Sequence, residues 1–153
     1  MMPMIMEERA LKIGPAALAF SRELYAWHLE ELSFLYGQYE ERLESLEGKA
    51  AGDDDDTDQR IGTHLNALEV GETIAIDVCL SRMNEGDAGI LYATVRLFCR
   101  LNRNDLLDET SGTIDPHQKK HINAMIRGLR QELPPERLSV IVSENDVLQK
   151  GLS

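Results

Sequence analysis

From Pro15 to about Glu47, Leu24, His28, Leu32, Leu35, Tyr39, Leu43 and Leu46 recur at steps of three and four residues. That stride draws one stripe down a helix. Phe20, Trp27 and Phe34 recur at seven-residue intervals on a neighbouring face. An apolar face this broad calls for more than one packing partner. Pro15 suits the first turn, where its missing N–H removes nothing the helix uses. Glu40, Glu41, Glu44 and Glu47 fall mostly on the water side.

After an acidic stretch, Ile61, Leu65 and Leu68 form the apolar edge of a second helix, opened by Thr57 or Asp58 as cap. Leu65 and Leu68 are expected to pack against Leu32 and Leu35. Val70-Gly71 offers a break. Ile74, Ile76, Val78, Cys79 and Leu80 then make a segment apolar on most sides, the pattern of a buried helix. Asn84-Glu85-Gly86 closes it. Asp87 opens a helix that turns Ile90, Leu91, Val95, Phe98 and Leu101 inward. Residues 102–105 read as a turn, and Leu106-Leu107 as one short helical turn before Ser111-Gly112.

Asp115-Pro116 reads as cap and first turn of a helix carrying Ile122, Met125, Ile126, Leu129 and Leu133. Pro134-Pro135 stops it. A last helix carries Leu138, Ile141 and Val142. Residues 138–142 also suit a strand, but no second strand is offered to pair with it, so helix is preferred. The expected fold is all-α: an antiparallel helical bundle or array with one long N-terminal helix, about four to six helices and no sheet. Residues 1–14 are expected to be a disordered or loose arm. Residues 15–153 form one domain, with an acidic loop at 48–57.

Composition narrows the picture. A chain of 153 residues suits one domain. Aromatics are only 5%, so aliphatic side chains must fill the core, which favours helices over a sandwich. The formal charge of −11 repels phosphate backbones, and nucleic acid is not an expected partner. The nearest basic patch, Lys119, Lys120, Arg127 and Arg130, is small and interleaved with acids. Basic or neutral proteins fit better. The opening Met1-Met2-Pro3-Met4-Ile5-Met6-Glu7-Glu8 does not read as a signal peptide. No apolar run approaches a membrane span, so no membrane role and a cytoplasmic location are expected.

Candidate chemistry is thin. Asp53 to Asp56 fails as a calcium loop: Asp58 stands where glycine is needed and His64 where glutamate is needed. Cys79 and Cys99 read as buried thiols. His117 and His121 are spaced to share a helix face, but only Asp115 is a local third ligand and two lysines adjoin them, so no metal is expected. His28 and His64 could pair across packed helices, as acid–base partners in a hydrolase-like cleft or as a helix–helix hydrogen bond; the second is preferred. Gly86-Asp87-Ala88-Gly89 lacks phosphate-loop spacing. Trp27 and Phe34 read as core. No cofactor is expected.

One combination of motifs goes further. His28-Leu29-Glu30-Glu31-Leu32-Ser33-Phe34-Leu35-Tyr36 is followed by Gln38 and Tyr39. After the acidic spacer comes Asp58-Gln59-Arg60-Ile61-Gly62-Thr63-His64-Leu65-Asn66-Ala67-Leu68, then Gly71-Glu72, an apolar helix and Glu85-Gly86-Asp87. This resembles bacterial HEAT-repeat-like proteins associated with type VI secretion gene clusters, over roughly Trp27 to Val142. Ile126-Arg127-Gly128-Leu129 with Leu133-Pro134-Pro135 looks like the start of a HEAT-like helical pair. Gln131-Glu132 departs from the small and aromatic residues expected there.

The resemblance implies helical pairs that bind protein, and it implies no catalytic residues. The expected function is a non-enzymatic protein-binding or scaffold module, an accessory of a type VI secretion system. An immunity or adaptor protein that binds a basic effector is the alternative. The partner would be a secretion component or effector. A homodimer is a further option, because Leu138, Ile141, Val147 and Leu148 place apolar surface where a repeat array would continue.

Overall fold

The computed structural model describes residues 14–46 and 55–152. The arm over residues 1–13 and the acidic run through residue 54 lie outside the described residues. The described residues form seven α-helices and one 3₁₀ turn, with no strand among them. In chain order these are α1 (Pro15–Leu46), α2 (Asp55–Arg82), the turn Met83–Glu85, α3 (Ala88–Arg100), α4 (Asn104–Gly112), α5 (Lys119–Glu132), α6 (Pro135–Ser143) and α7 (Asp146–Leu152).

Helix α1 is 32 residues long, about 48 Å at the standard rise. The first half of α2 runs against it in the antiparallel sense: His28 meets His64, and Tyr25 meets Gly71. Ile61, Leu65 and Leu68 are buried in one core with Leu29, Leu32 and Leu35, so the expected Leu65/Leu68 contact forms. α2 then breaks at Glu72 (φ 45°, ψ −116°), beside the expected Val70-Gly71 break. Beyond the break, Arg22 pairs with Asp77, Arg82 reaches Glu30, and Ser33 donates to the Asp87 carboxylate. The kink therefore turns the chain back along α1.

Gly86 adopts the left-handed conformation (φ 72°) and ends the 3₁₀ turn. Asp87 caps α3, accepting the backbone N–H groups of Gly89 and Ile90. α3 is the centre of the fold, with ten of its residues buried. It crosses α1 at Gly89, where a Cβ would lie 2.7 Å from the Ser33 backbone. Only glycine allows that approach. The Glu72–Met83 segment is not the enclosed helix its composition implied. Ile74 and Ile76 are half-buried and Leu80 is exposed, because this segment lies on the outside of α1 and α3.

Other boundaries differ for local reasons. α2 starts at Asp55, so Thr57 and Asp58 sit inside the helix and neither caps it. α4 is a nine-residue helix where a single turn was expected. Asp115 does not cap α5: its carboxylate accepts the N–H of His117 in a tight turn, and the helix begins at Lys119. The two prolines stop α5 as expected, with Leu133 extended and Pro135 opening α6. The count of seven, against four to six expected, includes α7, which Asn145 starts by accepting the Leu148 N–H.

That last helix closes the C-terminal end. Leu148 is fully buried and Val147 packs on the same core, against α5 and α6. Leu148 is therefore core and not interaction surface. Leu138 and Ile141 are half-buried, with Ile141 lining an open groove of about 380 Å³ between α4 and α6. Cys79 and Cys99 are free and buried, and burial pushes both thiols up to about 12. No helix among the described residues is long and apolar enough to cross a membrane.

Candidate functional site

The unusual surface lies on α1. Its buried side presents Leu29, Leu32, Leu35 and Tyr36 to α2 and α3. Phe20, Leu24, Trp27 and Phe34 are 67, 39, 49 and 59% exposed. Their spacing of four, three and seven residues returns each to the same side of the helix. Glu31 fills the remaining position of that stride. The result is an apolar seam of large side chains facing water. Soluble monomers seldom leave a row of four large apolar side chains in water unless it binds something.

Trp27 and Phe34, expected as core, are thus surface, and Leu24 belongs to the seam and not to the buried stripe. The packing geometry explains the change. α2 covers α1 on one side at His28 and Tyr25, and on the other at Arg22 and Glu30. Among the described residues no third helix covers the arc between. A second stripe at helical stride with a carboxylate in its middle was the available signal.

The two histidines meet beside this seam. His28 Nδ1 and His64 Nδ1 are 2.9 Å apart, so one ring donates an N–H to the other's lone pair. The ring centroids are 5.1 Å apart, nearly the N–N distance plus both ring radii. The two nitrogens therefore point at each other. They do not converge on a common point, as two ligands of one metal ion would. The indole of Trp27 meets both rings edge-on, with centroids 4.9 Å from His28 and 5.5 Å from His64.

Electrostatics keep the pair neutral. Burial lowers the pKa of His28 from 6.5, the charge of His64 lowers it further, and Glu31 opposes both. Burial also lowers that of His64, with Glu31 opposing and Arg60 adding. A shared hydrogen bond between two lone-pair nitrogens has room for one proton, so full protonation breaks it. The arrangement can hold α1 to α2 at neutral pH and register acid.

The remaining sequence candidates are scattered. His117 lies in the turn ahead of α5, so it shares no helix face with His121, whose Nε2 approaches the Gly86 carbonyl at 2.9 Å. Among the described residues, no three His, Cys, Asp or Glu side chains come together to hold a metal ion. Asp55 and Asp56 are helical, in the first turn of α2. The small basic patch is broken up, because Arg127 turns inward to the Tyr36 hydroxyl (2.8 Å) and Glu40 (3.3 Å).

A polar lattice that no local motif signals lies on the opposite side of α1. Tyr36 stacks on Tyr92 with centroids 4.4 Å apart. Burial pushes the Tyr36 phenol up to about 12, against the pull of Arg127. One oxygen of Glu132 accepts from Arg96 at 2.7 Å and Arg100 at 3.0 Å. These contacts tie α1, α3 and α5 together, and the Gln131-Glu132 pair takes part in them: Gln131 accepts from the Tyr92 hydroxyl. No family model, curated protein or solved structure matches the chain.

Proposed function

We propose that the chain is a non-enzymatic protein-binding module and that it holds its partner on the exposed seam of α1. One observation carries this reading: Phe20, Leu24, Trp27 and Phe34 face water at helical stride on a helix whose other side buries Leu29, Leu32, Leu35 and Tyr36. Groove and seam recognition of this kind anchors a partner by large apolar side chains spaced along a helix. A role as an accessory of a type VI secretion system is part of the proposal and rests on the sequence resemblance alone.

The hydrolase-like alternative needs a histidine whose nitrogen is aimed at a substrate proton. In this pair both Nδ1 atoms are engaged with each other. That favours a structural hydrogen bond beside a docking surface.

The test is site-specific photo-crosslinking in the native host. A photoreactive side chain at Phe34 is expected to give a discrete protein adduct, lost when Leu24 is replaced by Ser. The same group at Val140, exposed beside Ile141 at the α4–α6 groove, is expected to give none. An adduct from Val140 and not from Phe34 would move the docking surface to the C-terminal end.

A further inference from the structure

We infer that the occupant of the α1 seam is a basic amphipathic helix. This rests on the proposed function and names the partner's chemistry. From Phe20 to Phe34 the seam spans about 21 Å, or about four helical turns. That length and a three-and-four stride match the apolar face of one partner helix laid along it.

Charge selects the kind of helix. Glu23 and Glu30 line one edge of the seam, Glu30 also accepting from Arg82 at 3.2 Å, and Glu31 stands within it. α1 has two arginines over its described side chains, and Arg22 is turned away to Asp77. The whole chain carries −11. A partner with lysine or arginine along one side of its apolar face meets complementary charge on the Glu23–Glu30 edge and at Glu31. Its cations also find the exposed indole of Trp27, the best aromatic face for a cation.

The same charges argue against the other occupants. A second copy would set these glutamates against their own equivalents, and like charges across an interface oppose association. An anionic membrane surface would be repelled in the same way.

Trp27 is the only tryptophan of the chain, so its emission reports on the seam. The probes are a tryptophan-free Leu/Lys amphipathic peptide, its Leu/Glu counterpart with the same apolar face, and polylysine. The full-length protein is titrated with each. The Leu/Lys peptide is expected to shift Trp27 emission to the blue, saturably, and to bind at least about tenfold tighter than either other probe. Phe34→Ser should weaken it by about tenfold or more, the scale of a lost apolar anchor. Val140→Ser, far from the seam, should not.

Equal affinity for the Leu/Lys and Leu/Glu peptides, both sensitive to Phe34→Ser, would overturn the basic partner while keeping the seam as docking surface. Binding insensitive to Phe34→Ser would overturn the seam itself, and the proposed function with it. Polylysine binding as tightly as the Leu/Lys peptide would show charge alone at work and overturn the inference. A dimer in sedimentation that Phe34→Ser dissolves would assign the seam to a second copy instead.

Discussion

The two sides of α1 are built from the same materials and have opposite fates. On one side Leu29, Leu32, Leu35 and Tyr36 are at most 1% exposed. On the other, Phe20, Leu24, Trp27 and Phe34 stand in water. Hydrophobicity does not separate them. What separates them is supply: α2 brings Ile61, Leu65 and Leu68 to the first side, and α3 brings Gly89, whose missing side chain lets the helices close. An apolar stripe is a demand for a partner, and the described residues meet only one of the two demands.

The largest effect is expected at the supplied side. Leu65→Ala should cost about 2–5 kcal/mol, since a fully buried leucine leaves a cavity between α1 and α2. Urea unfolding measures it, and a loss under about 0.5 kcal/mol would mean that this face does not hold the helices together. Gly89→Ala comes next, at about 1–3 kcal/mol. Its new Cβ would meet the Ser33 backbone at 2.7 Å, so a helix must move and not a side chain. Unchanged stability would show that α1 and α3 do not close to backbone contact at this crossing.

The helical fold was legible because its punctuation is local. Asp87 caps α3 through its own carboxylate, Gly86 ends the 3₁₀ turn, and Pro134-Pro135 stops α5. Each acts within a few residues, where sequence and structure are nearly the same information. Asp115 shows the limit even there, since one carboxylate suits a helix cap and a tight turn equally well. The docking seam was not legible. Both stripes of α1 were visible, but which one the chain would cover depends on the path of α2 after Glu72, a tertiary fact. Leu148 was misplaced for the same reason, because α7 folds back onto α5 and α6.

At the border between the two sides, the histidine pair gives a pH test. Both folded-state pKa values lie below 6.5. Well above 6.5 both rings are neutral, folded or unfolded, and the pair contributes fully. As pH falls below 6.5 the unfolded chain takes up protons first, so stability is lost until the folded pair protonates too. Glu31 and Arg60 are charges that act on the pair, with opposite signs. Between neutral pH and about one unit below 6.5, the wild type should lose more stability than a His28→Asn/His64→Asn variant. Coincident slopes in denaturant titrations would remove the pair's role as a clasp.

The smallest expected effect on stability falls at the unsupplied side, and it is the most discriminating. Phe34→Ser should change unfolding stability by no more than about 0.5 kcal/mol. Serine and phenylalanine have nearly equal helix propensity, so α1 itself is not weakened. The ring is 59% exposed and leaves no enclosed cavity. The same substitution removes a large part of the seam's apolar area, so the blue shift of Trp27 with a basic amphipathic peptide should fall away. Small stability change with large binding change is the signature of a surface kept for a partner. A stability loss above about 2 kcal/mol, in the range of core truncation, would show that Phe34 is packed inside the free protein. The two sides of α1 would then be one continuous core.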